Sequence, residues 1–229
     1  MRRKMIFSML LALLLVFNVL AYAAKVNPKK PMVALTFDDG PSIYTKQILA
    51  TLRENNARAT FFVVGNRIAN HRKTIQQAKS QGCEIIGHTW SHPSLTKLNQ
   101  KQIRDQLVRT NQAINQVVGY TPRYFRPPYG SSNSQVRQVA RELGLSLVNW
   151  SVDPQDWKSR NSKKIYSAIM NNVKDGDIIL CHDLYESTAE AMKKVIPALI
   201  KQGYQLVTVS ELLEASEKTI KAGNIYYNK

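Results

Sequence analysis

The chain has 229 residues, 44% of them hydrophobic, and only two cysteines; this suits one domain with a full core, is short for two, and excludes a disulfide scaffold. Its formal net charge of +16 favours a polyanionic neighbourhood: nucleic acid, anionic lipid or an anionic cell wall.

The first residues join a basic start (Arg2, Arg3, Lys4) to an apolar stretch from Met5 to Leu20, and Ala21-Tyr22-Ala23 offers the small-x-small pattern of a signal-peptidase site. Residues 1–23 read as a signal peptide, with an uncleaved membrane anchor as the alternative, since the stretch is close to spanning length. Both readings put the domain outside the cytoplasm. Export argues against nucleic acid, and no aromatic-basic interleaving or nucleic-acid motif occurs. Without the three basic leader residues the charge is +13, which suits an anionic wall or merely keeps a secreted protein soluble.

Residues 24–31, ending in "KVNPKKP", form a lead-in. From Met32 to about Ser216 short apolar runs alternate with segments of helical period. Strands are expected at Val33–Phe37, Ala59–Val64, Glu84–Gly87, Tyr124–Arg126, Ser146–Trp150, Asp177–Cys181 and Gln205–Val207. Helices fill the gaps at Thr45–Asn55, Arg67–Gln81, Asn99–Val118, Ser134–Leu143, Lys163–Val173, Ala189–Gln202 and Val209–Glu217. Repeated βα alternation implies a parallel sheet, open or closed. Seven units, one short of the eight-strand barrel, predict an α/β fold: a distorted (β/α)7 barrel forming a single catalytic domain over residues 32–217. Residues 218–229, "KTIKAGNIYYNK", read as a C-terminal tail of uncertain order. Cys83 lies about five residues before the functional end of its strand and Cys181 one before the end of another. At ~3.3 Å per residue the axial offset exceeds ~10 Å, so two buried free thiols are expected.

The rare chemistry falls at strand ends, where parallel βα folds gather their functional groups. Strand one ends in Asp38-Asp39, strand three in "HTWSH" (His88 to His92), strand four in "RPPYG" (Arg126 to Gly130), strand five in "SVDPQDW" (Ser151 to Trp157) and strand six in "CHD" with His182. Three of the four histidines lie in these clusters; the fourth, His71, sits in polar "NHRK" and reads as a surface residue. His88 and His92 are spaced to chelate one metal, and a carboxylate from the aspartate pair completes a set that suits zinc or a similar divalent ion, with an open position for water. One aspartate is then a ligand and the other a general base beside the metal-bound water; the residues alone do not say which is which. Asp153 precedes a proline and reads as a turn initiator that neighbours the site.

The five clusters, in this order and spread over Thr36 to His182, resemble the motifs of polysaccharide deacetylases of carbohydrate esterase family 4, also called the nodulation-protein-B homology domain: "TFDDG", "HTWSH", "RPPY", "DPQDW" and "LCH", followed by "GYQLVTVSELL" as the last strand and helix. The resemblance implies that Asp38 is the catalytic base, Asp39, His88 and His92 the metal ligands, Arg126 the partner of Asp38, the backbone N–H of Tyr129 an oxyanion donor, and His182 the general acid held by Asp156. It further implies that Trp157, Leu180 and Pro127 line the substrate groove. A guanidinium would fix the direction of Asp38, and a carboxylate behind His182 would raise its pKa so that it can protonate a departing amine. The implied cofactor is one divalent ion, zinc with cobalt as an alternative. The implied substrate is a polymer or oligomer carrying N-acetylglucosamine; relatives act on peptidoglycan, chitin oligomers and acetylated xylan, and the basic charge favours peptidoglycan in a bacterial, extracytoplasmic setting, with the protein a monomer. A silent carbohydrate-binding module or a metal carrier is the reading from another class, but no ligand, base or acid of the pattern is missing. Cys181, next to the acid, is a candidate for sensitivity to oxidation.

Overall fold

The computed structural model describes residues 26–216 and 219–229; the signal peptide expected at 1–23 lies outside the described residues. Eight short strands form one sheet: β1 Met32–Asp38, β2 Thr60–Val63, β3 Glu84–Gly87, β4 Tyr124–Phe125, β5 Ser146–Val148, β6 Ile178–His182, β7 Gln205–Leu206 and β8 Ile225–Tyr226. The named helices are α1 Thr45–Glu54, α2 Arg72–Ser80, α3 Gln100–Val118, α4 Ser134–Glu142, α5 Asp156–Ser159, α6 Ser162–Asn172, α7 Glu186–Lys201 and α8 Val209–Glu214. Where their ends are sharp, the sequence supplies the caps. Asn99 and Gln102 form a capping box on α3, Thr208 and Glu211 another on α8, and Gly119 closes α3 in the left-handed conformation (φ 78°).

The strands run parallel in the order β6-β1-β2-β3-β4-β5-β8. The ring closes weakly beyond β5, where the Ser151 N–H donates to the Ile178 carbonyl (3.0 Å) and the Leu180 N–H to that of Val152 (2.9 Å). This is a distorted, incomplete barrel. The seventh unit does not enter the ring: β7 hydrogen-bonds only the start of β1, through the carbonyls of Pro31 and Val33. Those groups lie on the edge whose upper part β2 occupies, so β7 fills a gap below β2. The C-terminal segment, expected as a tail, instead supplies β8, which pairs Leu147 with Ile225 and Val148 with Tyr226 and so covers the outer edge of β5. The lead-in is docked too, with Asn27 and Gln205 exchanging backbone–side-chain bonds of 2.9 and 2.8 Å.

Two-residue periodicity sorts each strand into two faces. On β1 the outer Val33, Leu35 and Phe37 pack with Ile48, Leu49 and Leu52 of α1 and Val195, Ile196 and Leu199 of α7. The inner Met32 and Ala34 meet Phe62, Ile86, Tyr124, Val148 and Ile178 from the other strands, and Val209, Leu212 and Leu213 of α8 belong to the same cluster. Glu84 fastens that end: its buried carboxylate accepts bonds from the Ser210 N–H (3.1 Å), the Ser210 hydroxyl and the Thr60 hydroxyl (3.0 Å). One step further along the same inner faces stand Asp38, His88, Arg126, Trp150 and His182. The fold therefore puts apolar side chains at the N-terminal end of the barrel and charged ones at the other.

Cys83 and Cys181 are buried and free, as expected. Cys181 faces the outer cluster, away from the inner face that carries His182, and burial pushes its thiol well above the usual range. The expectation of an oxidation-sensitive thiol is thereby corrected, because the reactive thiolate is scarce and enclosed.

Deleting residues 224–229 removes the bonds from the Leu147 N–H to Asn224 and from the Asn149 N–H to Tyr226, both 2.8 Å. With the half-buried Ile225 also lost, stability should fall by about 3 kcal/mol. A thermal melt checks this, and a melting temperature within a degree of the full chain would mean that β8 is dispensable.

Candidate active site

Asp38 is the last residue of β1 and points inward at 3% exposure. Its Oδ1 accepts a bond from Arg126 Nη1 at 2.6 Å, and its Oδ2 lies 3.8 Å from His88 Nε2. Asp39 should face outward by the strand period, but its φ of 71° turns the backbone and swings its carboxylate back over the same cavity. The turn is possible because Gly40 follows: a Cβ there would collide with the buried carboxyl of Asp183. Burial pushes that carboxyl up to about 7, against the hydrogen bond from the Thr45 hydroxyl.

His88 Nδ1 lies 2.8 Å from the carbonyl of Arg126. A carbonyl only accepts, so Nδ1 donates and the neutral ring presents a lone pair at Nε2. Asp39 Oδ1 sits 3.4 Å from that nitrogen and 3.0 Å from His92 Nε2. The ligand atoms of Asp39, His88 and His92 all lie within 4.8 Å of one another. Asp39 Oδ1 is nevertheless buried with no hydrogen-bond donor. An orphaned carboxylate oxygen facing imidazole nitrogens is what a shared divalent cation would satisfy, so the residues fit a metal.

Beside Asp38, on the neighbouring strand, stands His182, whose backbone pairs with Asp38 in the β1–β6 register. Asp156, fully buried, accepts bonds from His182 Nδ1 (2.8 Å), the His182 N–H (2.7 Å), the Trp157 N–H (2.8 Å) and the Thr188 hydroxyl (2.7 Å). Burial alone would lower the His182 pKa; the bond to Asp156 and its charge, with Asp38 and Asp39 further off, raise it to about 9. The ring is thus fixed at Nδ1 and free at Nε2.

A cavity of about 430 Å³ joins these groups, lined by Asp38, Asp39, His88, His92, Tyr129, Trp150, Asp153, Trp157, Leu180, His182 and Tyr185. Trp157 and Leu180 are where the groove was expected. Pro127 is not: it is buried, its extended backbone leading into the turn Pro128–Gly130 that carries Tyr129 outward. Asp153 lies at the rim and its Oδ1 accepts from the Gln155 N–H at 2.7 Å, the turn bond expected of it. Tyr129 is 67% exposed, with its ring edge-on to His92 at 4.9 Å. His71, read as a surface residue, is half-buried and outside the cavity. Trp150 and Tyr185 were not singled out in the sequence. The signal existed for both, since Trp150 continues the inner period of β5 and Tyr185 follows the "CHD" strand end.

The sequence matches the family described as "Polysaccharide deacetylase" over residues 25–148 and "Divergent polysaccharide deacetylase" over residues 106–213. The chain belongs to the polysaccharide deacetylase family. It is 42% identical over 194 residues to a peptidoglycan-N-acetylmuramic acid deacetylase, PdaC, of Bacillus subtilis, covering 84% of this chain and 41% of that protein. It is 38% identical over 207 residues to a peptidoglycan-N-acetylglucosamine deacetylase, PgdA, of Listeria monocytogenes, covering 90% and 42%. The chain thus spans about two fifths of the length of these relatives. The solved structure of the B. subtilis protein superposes with a TM-score of 0.80, covering 84% of this chain and 94% of that one. A family 4 acetyl xylan esterase of Clostridium thermocellum in complex with a cobalt ion superposes with a TM-score of 0.81 at 34% identity, covering 86% and 98%.

Replacing Arg126 with Met leaves Asp38 buried and without its cation, which should cost about 3–5 kcal/mol in unfolding free energy. Adding Asp38→Asn in the same chain should recover part of that loss. Urea denaturation of the parent and the two variants checks it; an Arg126→Met chain as stable as the parent would show that the pair carries no structural load.

Proposed function

We propose that this chain is a metal-dependent hydrolase that removes N-acetyl groups from N-acetylglucosamine residues of a cell-wall polysaccharide, with peptidoglycan as the substrate. The observation that carries the reading is the meeting in one cavity of a carboxylate fixed by Arg126, an imidazole raised to about 9 by Asp156 and the Asp39–His88–His92 set.

A divalent cation on those three residues supplies Lewis-acid polarisation of the acetyl carbonyl and acidifies the attacking water. Zinc suits two imidazoles and a carboxylate, and cobalt is compatible with the same donors. Asp38, its Oδ1 committed to Arg126, uses its carboxylate to take the proton of the water as the oxygen adds to the carbonyl carbon. The Tyr129 N–H donates to the developing oxyanion. His182 gives the proton at Nε2 to the leaving nitrogen while Asp156 holds Nδ1, and acetate and a free amine result. An amine leaves as a neutral molecule only if it is protonated, so a histidine that is charged at neutral pH suits an amide substrate. Trp157 and Leu180 provide the apolar wall against which a sugar ring rests.

The peptidoglycan assignment rests on the activities of the two bacterial relatives and on the chain's basic charge, which is attracted to an anionic wall. Under this reading residues 1–23 direct export, and the domain acts as a monomer at the cell surface.

The test is acetate release from purified peptidoglycan, N-acetylchitopentaose and acetylxylan in parallel, with Asp38→Asn as the blank. Release from peptidoglycan should exceed the other two and fall by about 10²–10⁴-fold in the variant; release from acetylxylan alone would make the protein an esterase, and silence on all three would leave a binding module.

The pH profile carries a second expectation. The acid must be protonated to act, so kcat should hold below and fall as pH rises through about 9. In Asp156→Asn the partner that raises His182 is gone, and the alkaline limb should move down toward the ordinary histidine value of about 6.5. An unmoved limb would show that another group sets it.

A further inference from the structure

A second cavity, of about 540 Å³, adjoins the first through Tyr185 and is lined by Tyr44, Arg160, Asn161, Leu184, Tyr185 and Glu186 among others. Arg160 follows α5, the helix that delivers Asp156 and Trp157, and takes up a left-handed conformation (φ 46°, ψ 32°). That conformation is uncommon away from glycine, asparagine and aspartate. It lays the guanidinium flat on the Tyr185 ring, with Cζ 3.3 Å from the ring centroid, and lets Nε donate to the Trp157 carbonyl at 2.8 Å. The guanidinium is therefore held from both sides by residues of the active cavity. Its terminal nitrogens make no hydrogen bond among the described residues, and it is in no ion pair there. The carboxylates of the pocket leave it so: Glu190 is bonded to Lys193, and Glu186 stands exposed in the first turn of α7.

We propose that Arg160, stacked on Tyr185, forms a subsite for a carboxylate carried by the glycan beside the sugar that is deacetylated. The proposal rests on the deacetylase reading and narrows it. A planar guanidinium with free terminal donors binds a carboxylate through two parallel bonds. Neither chitin nor acetylxylan need carry such a group next to the acetyl, whereas a glycan containing N-acetylmuramic acid carries a lactyl carboxylate or the peptide attached to it. The subsite converts the excess of positive charge from general attraction into local discrimination.

The experiment measures binding and acetate release separately on the metal-loaded chain. The probes are uncrosslinked oligomers of alternating N-acetylglucosamine and N-acetylmuramic acid, and the same oligomers with the lactyl carboxylates reduced to alcohols. The parent should bind the carboxylate form about tenfold more tightly, and Arg160→Gln should abolish the difference between the two forms. Equal affinity of the parent for both forms overturns the subsite, as does a variant that weakens both forms by the same factor. A preference for the carboxylate that Arg160→Gln removes, found without any acetate release, upholds the subsite and overturns the deacetylase reading, so the two fail separately.

Discussion

The ion pair between Arg126 and Asp38 is the interaction on which the rest of the site depends. Arg126 is fully buried inside the barrel, where burial lowers its pKa and Asp38 counters that. Its donors are spent on two strands: Nη1 on Asp38 and Thr36 of β1, Nε on the Val148 carbonyl of β5, and Nη2 on that of Asn149 just beyond it. Thr36 in turn donates to the Ile179 carbonyl of β6, and the guanidinium lies 3.9 Å over the Phe62 ring of β2. The Arg126 carbonyl, for its part, fixes His88. One residue therefore orients Asp38 with its side chain and His88 with its backbone. A buried ion pair contributes little net stability compared with a well-packed apolar core. Its value here is directional, since a weakly closed barrel has few other ties across its upper interior.

Above that tie the backbone is strained in a localised way. Seven residues other than glycine have positive φ among the described residues, and six of them, Asp39, Thr89, His92, Tyr129, Gln155 and Arg160, belong to the loops that form the cavity rim. Each costs of order 1–3 kcal/mol and persists only where neighbours over-determine it. The neighbours are visible: Thr89 Oγ1 accepts from the His92 N–H at 3.1 Å, Asp153 from that of Gln155 at 2.7 Å, and Asp183 crowds Gly40 behind Asp39. The opposite end of the barrel, filled by Leu212, Leu213 and the Glu84 bonds, supplies the packing that sustains this rim.

Most of this was legible in the sequence because both signals, period and position, are local. The inner-face parity that places Asp38, Arg126 and His182 together follows from strand alternation, and the clustering of three histidines at strand ends needs only the chain order. What stayed hidden depended on contacts between distant segments. The edge strand β8 was invisible because Ile225–Tyr226 is two residues long and gains strand structure only by pairing with β5. Likewise β7 looked like a full member of the ring, although its register with Met32 and Val33 leaves it below β2. Pro127 was misplaced because a proline beside a reactive arginine reads as rim, whereas the turn Pro128–Gly130 buries it and exposes Tyr129 instead. Which aspartate turns toward the histidines was likewise beyond the residues alone, since it is decided by the φ of Asp39 and the room behind Gly40.

Under the proposed mechanism the two proton carriers of the cavity hold opposite protonation states at one pH, and what each carboxylate is bonded to separates them. Asp38 faces a permanent cation, Arg126, and has an oxygen left over, so it stands ready to accept. Asp156 faces a titratable one and commits both oxygens to four donors, which leaves its charge to act on His182 alone. Exchanging the two partners would defeat both roles: a histidine behind Asp38 would compete for the proton that Asp38 must take, and an arginine in place of His182 would hold a proton it could not release. The separation also explains why the fold tolerates so much charge near one cavity. Asp38 and Asp156 are each neutralised within their own hydrogen-bond shells, and Oδ1 of Asp39, which has no donor, faces the histidine nitrogens.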